Sequence, residues 1–157
     1  MLPLLPHAFA GLSEDFHTRQ NWEGFDHPFV VIENTDLKNE LGINNFGGQE
    51  LLNIFNGTEK MKSLKPLSMV YSGHQFGQYV EQLGDGRGLL LGQVSSDDGL
   101  TDVHLKGAGK TPYSRFGDGR AVLRSVIREY LCGEAMHALS IPTSRALMIV
   151  GSDEMVI

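Results

Sequence analysis

Cysteine is nearly absent: the 157 residues contain one, Cys132. No internal disulfide can form, and no Cys/His grouping has the spacing of a structural zinc site. Long apolar runs are also lacking. None approaches the ~18 residues needed to span a bilayer, so no membrane partner is expected. A basic excess is missing as well: 13 Lys and Arg stand against 19 Asp and Glu, for a net charge of −6 and a pI of 5.4. That balance argues against a nucleic acid held by phosphate neutralisation, but a small anion needs only a few local cations and backbone N–H groups. The N-terminus, Met1-Leu-Pro-Leu-Leu-Pro-His7, has no basic segment, and prolines interrupt its apolar stretch. It makes a poor secretory signal. The expected location is the cytoplasm, or an organelle in a eukaryote.

What is present is one domain's worth of chain, with 41% hydrophobic residues and a glycine excess. The 19 glycines in 157 residues are about 12%, against a typical ~7%, and they concentrate between Gly73 and Gly119. Residues 1–25 read as a polar, mixed arm. His27–Glu33 reads as a strand, and Asn34–Gly42 as a short helix capped by Thr35 or Asp36 and stopped by Gly42. Gln49–Phe55 reads as a second short helix. Leu67–Tyr71 is too short to classify, and glycine-punctuated strands begin at Gly73. Gly88–Val94 and Thr101–Lys106, separated by the turn cluster Ser95–Gly99, form a hairpin pattern. Apolar residues then recur at helical spacing from Arg120 to Ser140 (Val122, Leu123, Val126, Ile127, Tyr130, Leu131, Met136, Leu139), predicting an amphipathic helix capped by Asp118 and ended before Pro142. Thr143–Val150 reads as a last strand. The sequence stops at Met155-Val-Ile157 in what reads as mid-element, so a longer parent protein is expected.

Three constellations carry candidate chemistry. Gly84-Asp-Gly-Arg87 precedes an apolar strand; its glycines would admit a ligand close to the backbone, and Arg87 offers a planar cation suited to phosphate. A plain turn with a solvated arginine is the alternative. The same tetrapeptide recurs at Gly117-Asp-Gly-Arg120, at the expected mouth of the long helix, where free N–H groups favour an anion; a capping turn is the alternative there. Lys106 ends a strand, and Glu129 borders the apolar stripe of the helix. A carboxylate in that position wants a cation. Lys106 is one candidate, and Arg124 and Arg128 are nearer in sequence.

Three other features are set aside. Gly107-Ala-Gly-Lys-Thr111 imitates the end of a phosphate-binding P-loop, but His104 occupies the position where the first glycine is required. His74 sits among glycines and is not assigned catalysis. Cys132 reads as a small packing residue.

Taken as strings, Met69–Gly77, Gln82–Arg87, His104–Gly109, Thr111–Arg115, Gly117–Ser125 and Ile127–Cys132 resemble the selenoprotein O (SelO/YdiU) family over nearly the whole chain. The resemblance covers the front third of that family's length. It implies an α+β fold like a protein-kinase N-lobe, with a small antiparallel sheet, one long packed helix and an N-terminal extension. The implied division is an arm at 1–27 and a lobe at 28–157 that stops before a second lobe. It implies a protein adenylyltransferase moving AMP from ATP to Ser, Thr or Tyr hydroxyls of other proteins, with Mg²⁺ or Mn²⁺ and the nucleotide flipped. The implied ATP contacts are Gly84, Gly86, Arg87, Lys106, Asp118 and Gly119, with Glu129 supporting Lys106. The family's catalytic aspartate and metal ligands would lie beyond Ile157. The competing expectation is a non-catalytic fragment that binds nucleotide weakly or only a protein partner. Transfer of a phosphoryl group instead is a third.

Overall fold

The computed structural model describes residues 2–57, 65–97 and 99–156. The fold is α+β with antiparallel sheets. A 3-10 turn at Ala8–Gly11 leads to β1 (His17–Arg19) and β2 (Phe29–Glu33); α1 (Thr35–Glu40) and α2 (Gly48–Phe55) follow. Next come β3 (Leu67–Gln75), β4 (Gln78–Gly84), β5 (Gly88–Ser96), β6 (Gly99–Lys106), α3 (Leu123–Ala138) and β7 (Met148–Gly151). The main sheet runs β1-β3-β5-β6, with β4 also paired to β3, and β2 pairs with β7 in a separate ribbon. No helix among the described residues is long and apolar enough to cross a membrane.

Burial explains the arrangement. β5, a nearly continuous apolar run, has Leu89, Leu90, Leu91 and Val94 all buried, as suits a strand with neighbours on both edges. The core proper gathers Leu37, Leu41, Ile43, Phe46, Leu51 and Ile54 around Val94, under and between the two short helices. The first residues join it: Leu2 is buried in this cluster, and Leu5 exchanges backbone hydrogen bonds with Gln93 of β5 at 2.8 and 3.0 Å.

Several local expectations are corrected. The cap of α1 is Asn34, whose side-chain oxygen accepts from the Leu37 N–H at 3.0 Å; Thr35 and Asp36 are already inside the helix. The unclassified run at Leu67–Tyr71 is continuous with the start of the glycine-punctuated stretch, and the two form one strand. β3 continues through Gly73 and His74 to Gln75 and turns at Phe76-Gly77, both with positive φ (53° and 78°). That two-residue turn matches strand twist and makes β4, which the sequence reading missed. The β5–β6 hairpin forms as read, with Gly88 opposite Lys106.

The long helix differs most. It begins at Leu123, not Arg120, and no side chain caps it. Asp118 instead closes its own turn, accepting from the Arg120 N–H at 2.8 Å. Arg120 is drawn away from a helical course by its guanidinium, which lies 4.4 Å over the Phe25 ring and donates to Glu23 O at 2.9 Å. Nor is the helix packed along its apolar stripe: Leu123, Ile127, Leu131, Met136 and Leu139 are exposed, and so is Cys132. The expected strand at 143–150 is confined to Met148–Gly151.

Candidate functional site

The two Gly-Asp-Gly-Arg turns, 33 residues apart in sequence, line one cleft of about 660 Å³. Gly84, Gly86 and Arg87 form one side; Asp118 and Gly119 form the other, with Tyr113, Ser114 and Arg115 between them. The first turn joins β4 to β5. It is braced from behind: Ser114 Oγ donates to Gly86 O at 2.5 Å and Thr111 Oγ1 to Asp85 O at 2.7 Å. Asp85 is turned inward, accepting from Met69 N at 3.0 Å, and its carboxylate reinforces the effect of burial in raising the Tyr71 phenol's pKa. Arg87 points outward, exposed, and its guanidinium has no partner among the described residues.

The glycines have reasons that precede any ligand. A Cβ on Gly84 would lie 2.4 Å from the Tyr113 ring, and one on Gly86 2.8 Å from Tyr113 O. Neither has a positive φ. The space they leave is filled by the Thr111–Arg115 segment of the same chain. Gly119 differs: its φ is +74° and a Cβ would come 2.0 Å from Gly109 O, so only glycine lets the second turn lie against the Gly107–Gly109 loop. That loop is the P-loop imitator, and no helix follows it before Leu123.

Lys106 is not part of the cleft lining. It stands at the adjoining end of β6, where its strand partner Gly88 follows Arg87 and Gly107 N donates to Arg87 O at 2.7 Å. Its ammonium donates to Glu129 Oε2 on α3 at 2.5 Å. Lys106, and neither Arg124 nor Arg128, is therefore the partner of Glu129. The two side chains are 44% and 53% exposed, so the pair contributes about 0–1 kcal/mol to stability and its effect is positional. The cleft is locally basic on an acidic chain: Arg87, Arg115 and Arg120 line it against Asp118. Arg120 is committed elsewhere, to Glu23 O, Gly24 O and Glu154, whereas Arg115 reaches Gln75 Oε1 at 3.0 Å and ties the β3–β4 ribbon to the cleft wall.

Tyr113, Ser114 and Arg115 were missed as site residues, although Thr111-Pro-Tyr-Ser-Arg115 was among the strings that carried the resemblance. The missing signal was three-dimensional, because nothing in the spacing says this segment fills the back of the first glycine turn. A larger, more apolar cavity of about 760 Å³ lies between the N-terminal segment and β3 and β5, and none of the candidate residues reaches it. Among the described residues no three His, Cys, Asp or Glu side chains gather as a metal site.

Comparison with known proteins places the chain. A family model described as protein adenylyltransferase SelO matches residues 5–157. The chain is 57% identical over 148 residues to the protein nucleotidyltransferase YdiU of Vibrio atlanticus (strain LGP32), covering 92% of this chain and 30% of that protein. With the protein of the same name from Dechloromonas aromatica (strain RCB) it shares 48% identity over 158 residues, covering 97% and 31%. With that of Vibrio parahaemolyticus the figures are 50% over 148 residues, covering 94% and 30%. The chain thus spans under a third of the length of these curated relatives. These relatives carry the name protein nucleotidyltransferase, and the chain belongs to the SelO family.

Proposed function

We propose that this chain supplies the phosphate-holding part of a protein adenylyltransferase. The full protein would transfer AMP from ATP to Ser, Thr or Tyr hydroxyls of other proteins. The observation that carries this is the Lys106–Glu129 pair, formed at 2.5 Å beside a basic cleft lined by both Gly-Asp-Gly-Arg turns. A strand lysine held by a helix glutamate is how protein kinases present an ammonium to ATP phosphates, and a small antiparallel sheet with one long helix is compatible with a kinase-like N-lobe.

In this reading Lys106 and the free Arg87 guanidinium neutralise phosphate charge. The acceptor hydroxyl oxygen attacks the α-phosphorus and gives up its proton to solvent or a base; the bond from that phosphorus to the oxygen bridging to the β-phosphate breaks, and pyrophosphate leaves. Mg²⁺ or Mn²⁺ would accompany the nucleotide and offset phosphate charge, and no step is assigned through it. The protein substrates supply the hydroxyl that accepts AMP. Nucleic acid is not proposed as a partner, given the net charge of −6. The location proposed is the cytoplasm.

For these 157 residues by themselves we propose nucleotide binding without transfer, on the ground that they correspond to under a third of the relatives' length. ATP labelled on the α- or the γ-phosphate tests the reaction class. Label passing to protein from the α-position alone supports adenylyl transfer, and label from the γ-position alone would replace it with phosphoryl transfer.

A further inference from the structure

α3 is fastened by ion pairs more than by apolar burial. Of its residues only Gly133 is buried, and there the helix backbone comes close to the following segment: a Cβ would lie 3.0 Å from Ser144 O. Beside that contact stands Arg145, its side chain 11% exposed. Its Nε and Nη2 donate to the two oxygens of Glu134 on α3 at 3.0 and 2.8 Å, and its Nη1 donates to Glu40 Oε2, at the end of α1, at 2.5 Å. Asn34, the cap of α1, donates to Ala146 O at 3.3 Å and so ties the same segment to the same helix. The bond from Arg145 holds the Glu134 carboxyl below its ordinary pKa.

Glu129 and Glu134 are five residues apart on one helix, about 7.5 Å along its axis. The helix is therefore pinned at two points, to β6 through Lys106 and to α1 through Arg145. The first pin is half-exposed and too weak to orient a 16-residue helix alone. The second is a two-point guanidinium–carboxylate contact with little access to water, the geometry that fixes direction as well as distance.

We propose that Arg145 is a positioning residue for the nucleotide site: by clamping Glu134 to Glu40 it sets the height and rotation of α3, and so decides whether Glu129 can hold Lys106 beside the glycine turns. The inference rests on Lys106 being a phosphate contact. Without Arg145, Glu134 and Glu40 are two carboxylates facing each other with no cation between them, and α3 moves away from α1.

The test is a double-mutant cycle read as affinity for a fluorescent ATP analogue, in the full-length protein. Arg145→Ala should weaken binding about tenfold, and that loss should disappear in a Glu129→Gln background, because the effect travels through Glu129. Arg145→Lys should recover little, since an ammonium cannot make the two-point contact. Losses from Arg145→Ala and Glu129→Gln that simply add, or no loss from Arg145→Ala, would overturn the inference. If Arg145→Ala does not fold, Glu134→Gln completes the same cycle without leaving a bare charge. Lys106→Ala separates the two layers. Unchanged affinity there overturns the nucleotide reading and the positioning role with it, whereas a loss there joined to additive losses in the cycle overturns the positioning role alone.

Discussion

Replacing Gly119 with alanine isolates the contact between the second glycine turn and the Gly107–Gly109 loop. The residue has φ +74°, and a methyl group would sit 2.0 Å from Gly109 O and 2.6 Å from Lys110 N, both backbone atoms that no rotamer change can move aside. The left-handed backbone by itself costs a non-glycine residue about 1–2 kcal/mol. Relieving the clash requires the 107–110 loop to retreat, which breaks the Gly109 N to Gly119 O hydrogen bond at 3.2 Å, worth about another 1 kcal/mol. Together these predict about 2–3 kcal/mol. The control is Gly42→Ala, where φ is +66° but nothing lies within 4 Å, so only the backbone term of about 1–2 kcal/mol applies. Urea unfolding followed through the single tryptophan, Trp22, gives both values. With a slope of about 2 kcal/mol per molar, the Gly119 midpoint should fall by about 1–1.5 M and lie clearly below that of the Gly42 variant. Equal midpoints would refute the reasoning, because they would mean that the close approach of the two loops costs nothing to disturb.

Two further expectations follow from α3. The Glu134 carboxyl lies below its ordinary value of 4.5, chiefly through its bond from Arg145, so the stability it contributes is complete above that value and drains away as pH falls through the lowered one. Unfolding midpoints taken from about pH 6 to about pH 3 should therefore drop more steeply in the wild type than in Glu134→Gln; parallel curves would contradict the assignment. Leu131 is 62% exposed, so Leu131→Glu should change the stability read from urea unfolding by less than about 0.5 kcal/mol. A loss of about 2 kcal/mol or more would show that the stripe is packed after all.

How much was legible depended on whether a signal was local. The β5–β6 hairpin carried its own evidence, an apolar strand, a polar turn and an alternating strand, and it formed in the register that puts Lys106 opposite Gly88. The short helices were legible through apolar spacing and the glycine at the end of α1. The β3–β4 ribbon was not, because a glycine-bearing stretch such as Ser72-Gly-His74 looks like a loop until Tyr79 packs edge-on against His74, with ring centroids 5.4 Å apart. Helix spacing located α3 but overextended its start, since the pull of Phe25 and Glu23 on Arg120 comes from nearly a hundred residues away. The same spacing promised a packed apolar face. In the structure much of that face is open, and the helix is held by Gly133, Glu134 and Glu129, none of which is apolar bulk. At the site, the repeated tetrapeptide and the Lys106–Glu129 pair could be named from sequence. That Tyr113 would occupy the room left by Gly84 and Gly86 could not, because it needs the Thr111–Arg115 segment to fold back behind the first turn.

The central claim, that Lys106 presents its charge to ATP phosphates beside the two glycine turns, is tested most directly by α-phosphate-labelled ATP. Full-length protein and its Lys106→Ala variant would be compared for label transferred to protein. The account predicts transfer in the first and none above background in the second, with both proteins unfolding at the same urea concentration to within about 0.5 M because the ion pair is exposed. Undiminished transfer by the variant would contradict it.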